Sequence, residues 1–598
     1  MTISIDYDPR QRCAILTAID KNEWHWGFIV NSLFQQLPEI YQSQESVIIP
    51  IDMFLSVRVS IAQYAKNHNV LISLTPAIRE YLRKADQSSY STAIRKAEIT
   101  EDEIKSKLRY VGFIRELTKN QLANLSKIGN LPAAATFSVP GAGKTTEALA
   151  YFFLNSEETD KLLVVAPKNA FGAWDEQLSE CLGDNSLQFV RLRGGVEKIE
   201  RALRDNPRFC IITYQQYPRV AEQLMQYIRR NSVFMFLDES HRIKSGRSGI
   251  SAESILKASF LPKRKLIMSG TPMPQSLNDI LPQFAFLYPD KHINDSNAID
   301  LIAPIYVRTT SSQLGIPAIE HRKVVVSMSP LQRELYSSIK SEAKRQIIPL
   351  LSDLSKASLR DINKKIIKVM QFVSNPSLLA KDVDYIFDPQ LGDVLAKENG
   401  PKIDYVCART RQLVSEGKKV LLWSQFVENV ELLAERLKDL GADFIHGGVD
   451  AGDEDENDTR EWKIKEFHKN PDKMVLVANP AAASEGISLH RVCQYAIYLD
   501  RSFNAAHYLQ SEDRIHRLGL RPDQVPIIEI VECENSIDQL IANRLESKIS
   551  VMAQALNDSS IHVSMVDFDV DCDMDNDDGN ITESDIEAIK RYFSDIAL

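Results

Sequence analysis

Between residues 233 and 245 the chain reads VFMFLDESHRIKS. Five apolar residues, Val233 to Leu237, run directly into two adjacent carboxylates, Asp238 and Glu239, followed by His241, Arg242 and Lys244. A short continuous apolar run is the pattern of a strand covered on both faces, as in a parallel sheet. At the carboxyl end of such a strand the chain leaves the core, and open α/β sheets bind their ligands there. A carboxylate pair at that edge suits a divalent cation and a polarised water, and it equally suits a solvated loop. The sequence around it has to decide.

Upstream, residues 133–154 read AAATFSVPGAGKTTEALAYFFL, a strand pattern, a glycine-rich turn and a helix pattern in that order. The turn is close to the phosphate-binding signature G-x-x-x-x-G-K-[ST], with Ser138 in place of the first glycine. Pro140, Gly141, Ala142, Gly143, Lys144, Thr145 and Thr146 form the predicted cradle. Glycines there let backbone N–H groups turn toward phosphate oxygens, and the helix N-terminus adds partial positive charge. Lys144 is the expected contact to the β- and γ-phosphates, and the Thr145 hydroxyl an expected magnesium ligand. Asp238 lies 94 residues beyond Lys144 at the end of another predicted strand. It is the expected second magnesium ligand, and Glu239 the expected general base for an attacking water. ATP and Mg2+ are the cofactors this pairing calls for.

Further apolar runs set the rhythm. KLLVVAP, RFCIITY, VFMFLD and RKLIMSG follow the first strand, and KKVLLWSQ, ADFIHG, KMVLVAN, YAIYLD and VPIIEIV form a second series after residue 400. Each is followed by turn chemistry or a helical pattern, which is the signature of β-α units and parallel sheets. Residues from about 325 to 400 are mostly helical in pattern. Residues 1–110 mix apolar runs with helix-like stretches and carry no recognisable motif.

At 598 residues the chain is too long for one core, and about 150 residues per domain suggests three to four domains. The hydrophobic fraction of 44% and charged fraction of 25% are ordinary for globular proteins. No run of 18 apolar residues exists, so no membrane contact is expected. The first residues, MTISIDYDPRQRC, lack a signal-peptide core, so a cytoplasmic protein is expected, nucleoid-associated in a prokaryote or nuclear in a eukaryote. Seven scattered cysteines without a CxxC pair argue against both a disulfide framework and zinc. The net charge of −10 is concentrated at one end. Residues 565–598 hold nine Asp and two Glu against one Lys and one Arg, a net −9, which leaves −1 for residues 1–564. Net charge therefore does not exclude a nucleic-acid partner.

With these residues placed, the chain resembles the Swi/Snf-type DNA translocases of helicase superfamily two. DESH (238–241) matches the family's D-E-x-H box, and QSEDRIHRLG (510–519) matches its motif VI. LLVVAPKNAFGAW (162–174) is similar to motif Ia, ITYQQY (212–217) to motif Ib, SGTP (269–272) to motif III and VLLWSQF (420–426) to motif IV. ANPAAASEGISLH (478–490) resembles motif V, with Ala482 and Ala483 in place of a glycine pair. YVRTT (306–310), SMSPLQRELY (327–336) and KVMQFVSNPSLL (368–379) resemble the connection between the family's two lobes. The phosphate loop departs from the family's common DEMGLGKT form, which points to a divergent, prokaryotic-type branch.

The resemblance covers about residues 115–548. It implies an α/β fold of two RecA-like parallel-sheet lobes with helical insertions, beside an N-terminal α+β accessory domain. The expected divisions are 1–112 accessory domain, 113–295 first lobe, 296–400 linker and helical region, 401–550 second lobe and 551–598 acidic tail. It implies Gln121 as the adenine-reading glutamine, with Glu485 and Gly486 also at the nucleotide. Lys144, Asp238, Glu239, Arg514 and Arg517 are the implied catalytic set, and Lys168, Tyr214, Arg242, Lys244, Ser424 and Ser484 the implied nucleic-acid contacts. The implied activity is a nucleic-acid-stimulated ATPase that translocates on duplex DNA. A strand-separating DNA or RNA helicase, or a motor subunit working with protein partners in a defence or repair complex, are the alternatives. The tail (DMDNDDGN within 573–580) has three readings: a solvated acidic segment, an imperfect calcium loop, or a DNA mimic.

Overall fold

The fold is taken from a computed structural model. It describes residues 2–558 and 583–594, leaving out 9–12, 20–22, 37–40, 43–45, 88–89, 95–97, 275, 292, 353–355, 382–388, 398–399, 451–457, 484–487, 504 and 522. The chain divides into two compact units. One comprises residues 1–138, 143–272 and 278–308; the other comprises 139–142, 273–277 and 309–598.

The first unit contains two sheets. Strands β1 (Thr2–Asp8), β2 (Cys13–Ala18), β3 (Tyr41–Gln42), β4 (Ser46–Pro50) and β5 (Leu71–Leu74) form a mixed sheet in the order β3-β4-β2-β1-β5. Its core side chains include Ile3, Ile5, Leu16, Val47, Ile49 and Phe54. Strands β6 (Ala133–Thr136), β7 (Lys161–Val165), β8 (Val190–Arg191), β9 (Phe209–Ile212), β10 (Val233–Asp238), β11 (Arg264–Met268) and β12 (Tyr306–Val307) form the second sheet. Its order is β12-β6-β11-β10-β7-β9-β8, and every pairing is parallel. All four residues of β6 and of β9 are buried, as are the first five of β10. That burial on both faces is why these strands read as unbroken apolar runs.

The second unit is built on β13 (Glu320–Val326), β14 (Val420–Trp423), β15 (Asp443–Ile445), β16 (Val475–Ala478), β17 (Tyr495–Tyr498) and β18 (Ile527–Cys533). The order is β13-β18-β17-β14-β16-β15, again parallel throughout. Two long helices, Pro330–Ile347 and Lys356–Ser374, pack into the same core as this sheet through Tyr336, Ile339, Ile366 and Val369. Among the described residues no helix is long and apolar enough to cross a membrane.

The structure shows elements that cross the expected domain limits. The stretch 296–400 is more than a linker with helices, because β12 completes an edge of the first parallel sheet and β13 an edge of the second. Half-exposed edge strands such as EHRKVVV carry several charged residues, which hides them among polar connections. The boundary at 550 falls inside a single helix, Ile537–Ala555, with Ile549 and Met552 buried. Part of the expected acidic tail is also structured. Helix Glu583–Ser594 inserts Ile589 and Phe593, both fully buried, into the core of the second unit. The stretch 573–580, on which the calcium-loop and DNA-mimic readings rest, lies outside the described residues.

The C-terminal helix is fixed by charge as well as packing. Asp585 is 0% exposed and lies 2.9 Å from Arg544 Nε and 2.6 Å from Lys548 Nζ. Tyr592 Oη is 2.7 Å from Tyr336 Oη, and Lys340 Nζ sits 3.9 Å from the Tyr592 ring centroid. Removing the carboxylate would leave two cations without their shared partner. Asp585→Ala should therefore destabilise the second unit by about 3–5 kcal/mol, seen as an early transition in chemical unfolding of the full chain.

Candidate ATP site

The site is built at the carboxyl edge of the first parallel sheet. In the order β6-β11-β10, three neighbouring strands deliver the phosphate loop, the SGTP turn and the DESH turn side by side. The loop after β6 turns on Gly141 and Gly143, both left-handed at φ +85° and +78°. At Gly143 any side chain would be strained by the left-handed φ, and its Cβ, 2.5 Å from Gln121 Nε2, would push that amide aside. Helix Lys144–Asn155 then starts without a side-chain cap, so its first N–H groups remain directed at the loop. Lys144 Nζ donates to the Ser138 carbonyl at 2.9 Å. A left-handed glycine cradle, a helix N-terminus and a lysine fit a polyphosphate. The carboxylate of Asp238 and the hydroxyl of Thr145 are the hard oxygen donors that magnesium prefers.

Gln121 lies on the neighbouring helix, Lys119–Ile128, which begins with a reciprocal capping box between Thr118 and Gln121. Its Oε1 accepts from the Thr118 N–H at 2.9 Å and its Nε2 donates to the Gly143 carbonyl at 3.1 Å. The amide expected to read adenine thus also ties this helix to the phosphate loop. One turn further, Asn124 Nδ2 donates to Glu147 Oε2 at 2.8 Å. Glu147 is 2% exposed, and burial pushes its carboxyl up to about 7 against the opposing pull of Asn124, Thr136 and Lys144. Thr146, expected at the nucleotide, is instead buried with its hydroxyl donating to Gln177 Oε1 at 2.6 Å. It faces the protein because it is one residue round the helix from Thr145.

At the end of β10, Asp238 is held from the helix after β7 and from the connection after β9. Trp174 Nε1 donates to Asp238 Oδ2 at 2.9 Å, and Tyr214 Oη donates to the Asp238 carbonyl at 2.7 Å. Oδ1 accepts from the Glu239 N–H at 3.0 Å. Glu239 adopts φ 51° and ψ 55°, a conformation costly for a non-glycine residue and favoured here by the sharp turn out of the strand. His241 Nδ1 lies 3.4 Å from Glu239 Oε2 and 3.0 Å from Ser269 Oγ, so the DESH and SGTP turns are joined. Ser240 Oγ donates to Gln283 Oε1 at 2.7 Å, and Gln283 Nε2 donates to the Pro272 carbonyl at 2.6 Å.

In the second unit, Arg514 is 6% exposed with Nε donating to the Gln510 carbonyl at 2.7 Å, whereas Arg517 is half-buried. Ser484, Glu485 and Gly486 lie outside the described residues. Among the expected nucleic-acid contacts, Lys168 is exposed, and Arg242 and Lys244 are partly so. Tyr214 and Ser424, also expected contacts, are buried. Tyr214 is 3% exposed and spends its hydroxyl on Asp238. Ser424 is 0% exposed and donates to Asp500 Oδ2 at 2.7 Å.

Asp500 was not expected. Its carboxylate also accepts from Ser374 Oγ at 2.5 Å and from the Gln425 N–H at 2.7 Å, and burial pushes its pKa up against these donors. The signal was present: YAIYLD (495–500) repeats the pattern of VFMFLD (233–238), an apolar strand ending in Asp.

Comparison with known proteins agrees with this arrangement. Residues 137–297 match the SNF2-related domain and residues 401–519 the helicase conserved C-terminal domain. These two matches are to domains of SNF2-type, helicase-like proteins. A probable chromatin-remodeling complex ATPase chain of Oryza sativa subsp. japonica is 22% identical over 492 residues, 75% of this chain and 42% of that protein. The SWI/SNF-related matrix-associated actin-dependent regulator of chromatin subfamily A member 1 of Homo sapiens is 21% identical over 442 residues, 68% and 40% of the two chains. The chain thus spans less than half the length of these curated relatives. The Sulfolobus solfataricus SWI2/SNF2 ATPase core in complex with dsDNA aligns at 18% identity, over 75% of this chain and 95% of that one, with a TM-score of 0.32. That score is too low to rest the fold on, which stands on the sheet order above.

Asn124 gives a direct test of the phosphate loop's support. Asn124→Ala withdraws a donor from a buried carboxyl, which should cost about 1–3 kcal/mol. The measurement is the denaturant midpoint of the full chain, with an unchanged slope.

Proposed function

We propose that this chain is an ATP-driven motor that tracks along duplex DNA, using Mg2+ as the metal partner of the nucleotide. The observation that carries the reading is the joining of Lys144's loop, Ser269's turn and Asp238 at one edge of one parallel sheet. The chromatin-remodelling names of the relatives, and a 23% identical relative of Mus musculus named chromodomain-helicase-DNA-binding protein 1-like, support duplex DNA as the track. Such a motor works wherever that DNA is kept, in nucleoid, cytoplasm or nucleus.

The chemistry follows from positioning and charge. The loop N–H groups cradle the β- and γ-phosphates, and Lys144 exchanges the Ser138 carbonyl for a phosphate oxygen. Thr145 and Asp238 are the residues that would hold magnesium, which would supply positive charge to neutralise the phosphates. Glu239, its carboxylate steadied by His241 and through it by Ser269, accepts the proton of the attacking water. Arg517 is the proposed cation on the phosphoryl group in transfer; Arg514 is buried and donates to the Gln510 carbonyl. Lys168, Arg242 and Lys244 remain the proposed phosphate contacts on DNA, which carry affinity and no sequence information.

ATPase activity measured against blunt duplex DNA, single-stranded DNA and RNA tests this. Duplex should stimulate most; preference for single strands would turn the reading to a strand-separating helicase. Lys144→Ala should lower turnover by about 10²–10³. A folded Lys144→Ala protein with more than about a tenth of wild-type turnover would remove the loop from the reaction.

The base and the arginine separate by different readouts. Glu239→Gln should retain nucleotide binding while turnover collapses, because the amide cannot take the proton. Arg517→Lys should not rescue Arg517→Ala, since the planar fork is lost with the guanidinium. Loss of nucleotide binding in the first, or normal turnover in the second, would reassign that residue.

A further inference from the structure

Helix Phe171–Leu182 follows the exposed Lys168 after a single turn, residues 168–170. Trp174 and Gln177 stand three residues apart on it and so share one face. Both reach the nucleotide machinery, and they reach different parts of it. Trp174 Nε1 donates to Asp238 Oδ2 at 2.9 Å, while Gln177 Oε1 accepts from the Thr146 hydroxyl at 2.6 Å. The helix is seated firmly: Trp174 is fully buried with its ring centroid 5.7 Å from that of Phe189, and Leu178 and Cys181 are also fully buried. A packed helix shifts as a body rather than bending locally. A displacement of its first turn is therefore delivered at once to Asp238 and to the residue after Thr145.

We propose that Trp174 and Gln177 are positioning residues that couple nucleic-acid contact at the Lys168 turn to turnover at the ATP site. The proposal rests on the motor reading above and deepens it. Both side chains act through another residue, Trp174 through Asp238 and Gln177 through Thr146. Trp174 sets the direction of the Asp238 carboxylate, and Gln177 sets the first turn of the phosphate-loop helix. Tyr214, from the next connection along the sheet, reinforces the same point by donating to the Asp238 carbonyl at 2.7 Å. Two connections expected to lie along DNA thus end in hydrogen bonds to one aspartate.

The test uses the full chain with Trp174→Phe, which keeps an aromatic ring and deletes the N–H, and separately Gln177→Leu. ATPase is measured at saturating Mg·ATP across a titration of blunt duplex DNA, with thermal melts to confirm folding. The expected result is a fall in the ratio of DNA-stimulated to basal rate by about fivefold or more, the scale of a modest coupling energy. The duplex concentration for half-maximal stimulation should stay within about twofold, because the contacts to DNA are untouched. If basal and stimulated rates fall by the same factor in both variants, the two side chains only support the core and the proposal is overturned. Should one variant fail to fold, the ratio in the other decides. A wild-type protein that duplex DNA does not stimulate at all would mark failure of the motor reading, and this proposal would fall with it.

Discussion

One carboxylate organises the first parallel sheet's working edge. Asp238 closes a strand whose preceding five residues are buried, and its polar atoms are met from two directions by donors on neighbouring connections. A carboxylate at the mouth of an apolar strand is costly to place without partners. Here the indole of Trp174, the phenol of Tyr214 and the Glu239 N–H supply them, and in doing so they fix its orientation. The left-handed turn at Glu239 follows from the same geometry, because the chain must leave the strand at once for His241 to reach Ser269. A loosely held Asp238 would leave the phosphate loop and the DESH turn as two unconnected features of one sheet.

The second parallel sheet solves a similar problem with a different outcome. Asp500 ends β17's apolar stretch as Asp238 ends β10, yet its partners are hydroxyls and amides drawn from helix Lys356–Ser374 and from the turn after β14. It is enclosed where Asp238 is partly open. The same sequence pattern therefore serves as a fastening in one sheet and as an edge available for ligand chemistry in the other.

Periodicity made the two parallel sheets legible because their central strands are buried on both faces and cannot be mistaken for surface. Glycine and lysine spacing made the phosphate loop legible, since few other structures need that order of residues. What stayed hidden depended on partners distant in the chain. Tyr214 reads like a loop residue able to touch DNA, and only its bond to a carbonyl 24 residues away shows why it is buried. Thr146 reads like part of the cradle, and the helix rotation turns it to Gln177. Edge strands β12 and β13 were lost among polar connections. The C-terminal helix was masked by the charge around it, although its Ile589 and Phe593 stand four residues apart, the spacing of one helical face.

The pairing of β13 with β18 bears on the order in which the protein can be made. The first unit's parallel sheet has all its strands once Val307 has left the ribosome. The second unit's sheet must hold β13 unpaired until Ile527–Cys533 arrives, and its core then waits for Phe593. Translation at about 5–20 residues per second makes that wait on the order of ten seconds or more, during which an apolar edge is open to wrong partners. The half of the molecule that carries the motif VI arginines is thus the half whose sheet and core wait longest for chain still to be made.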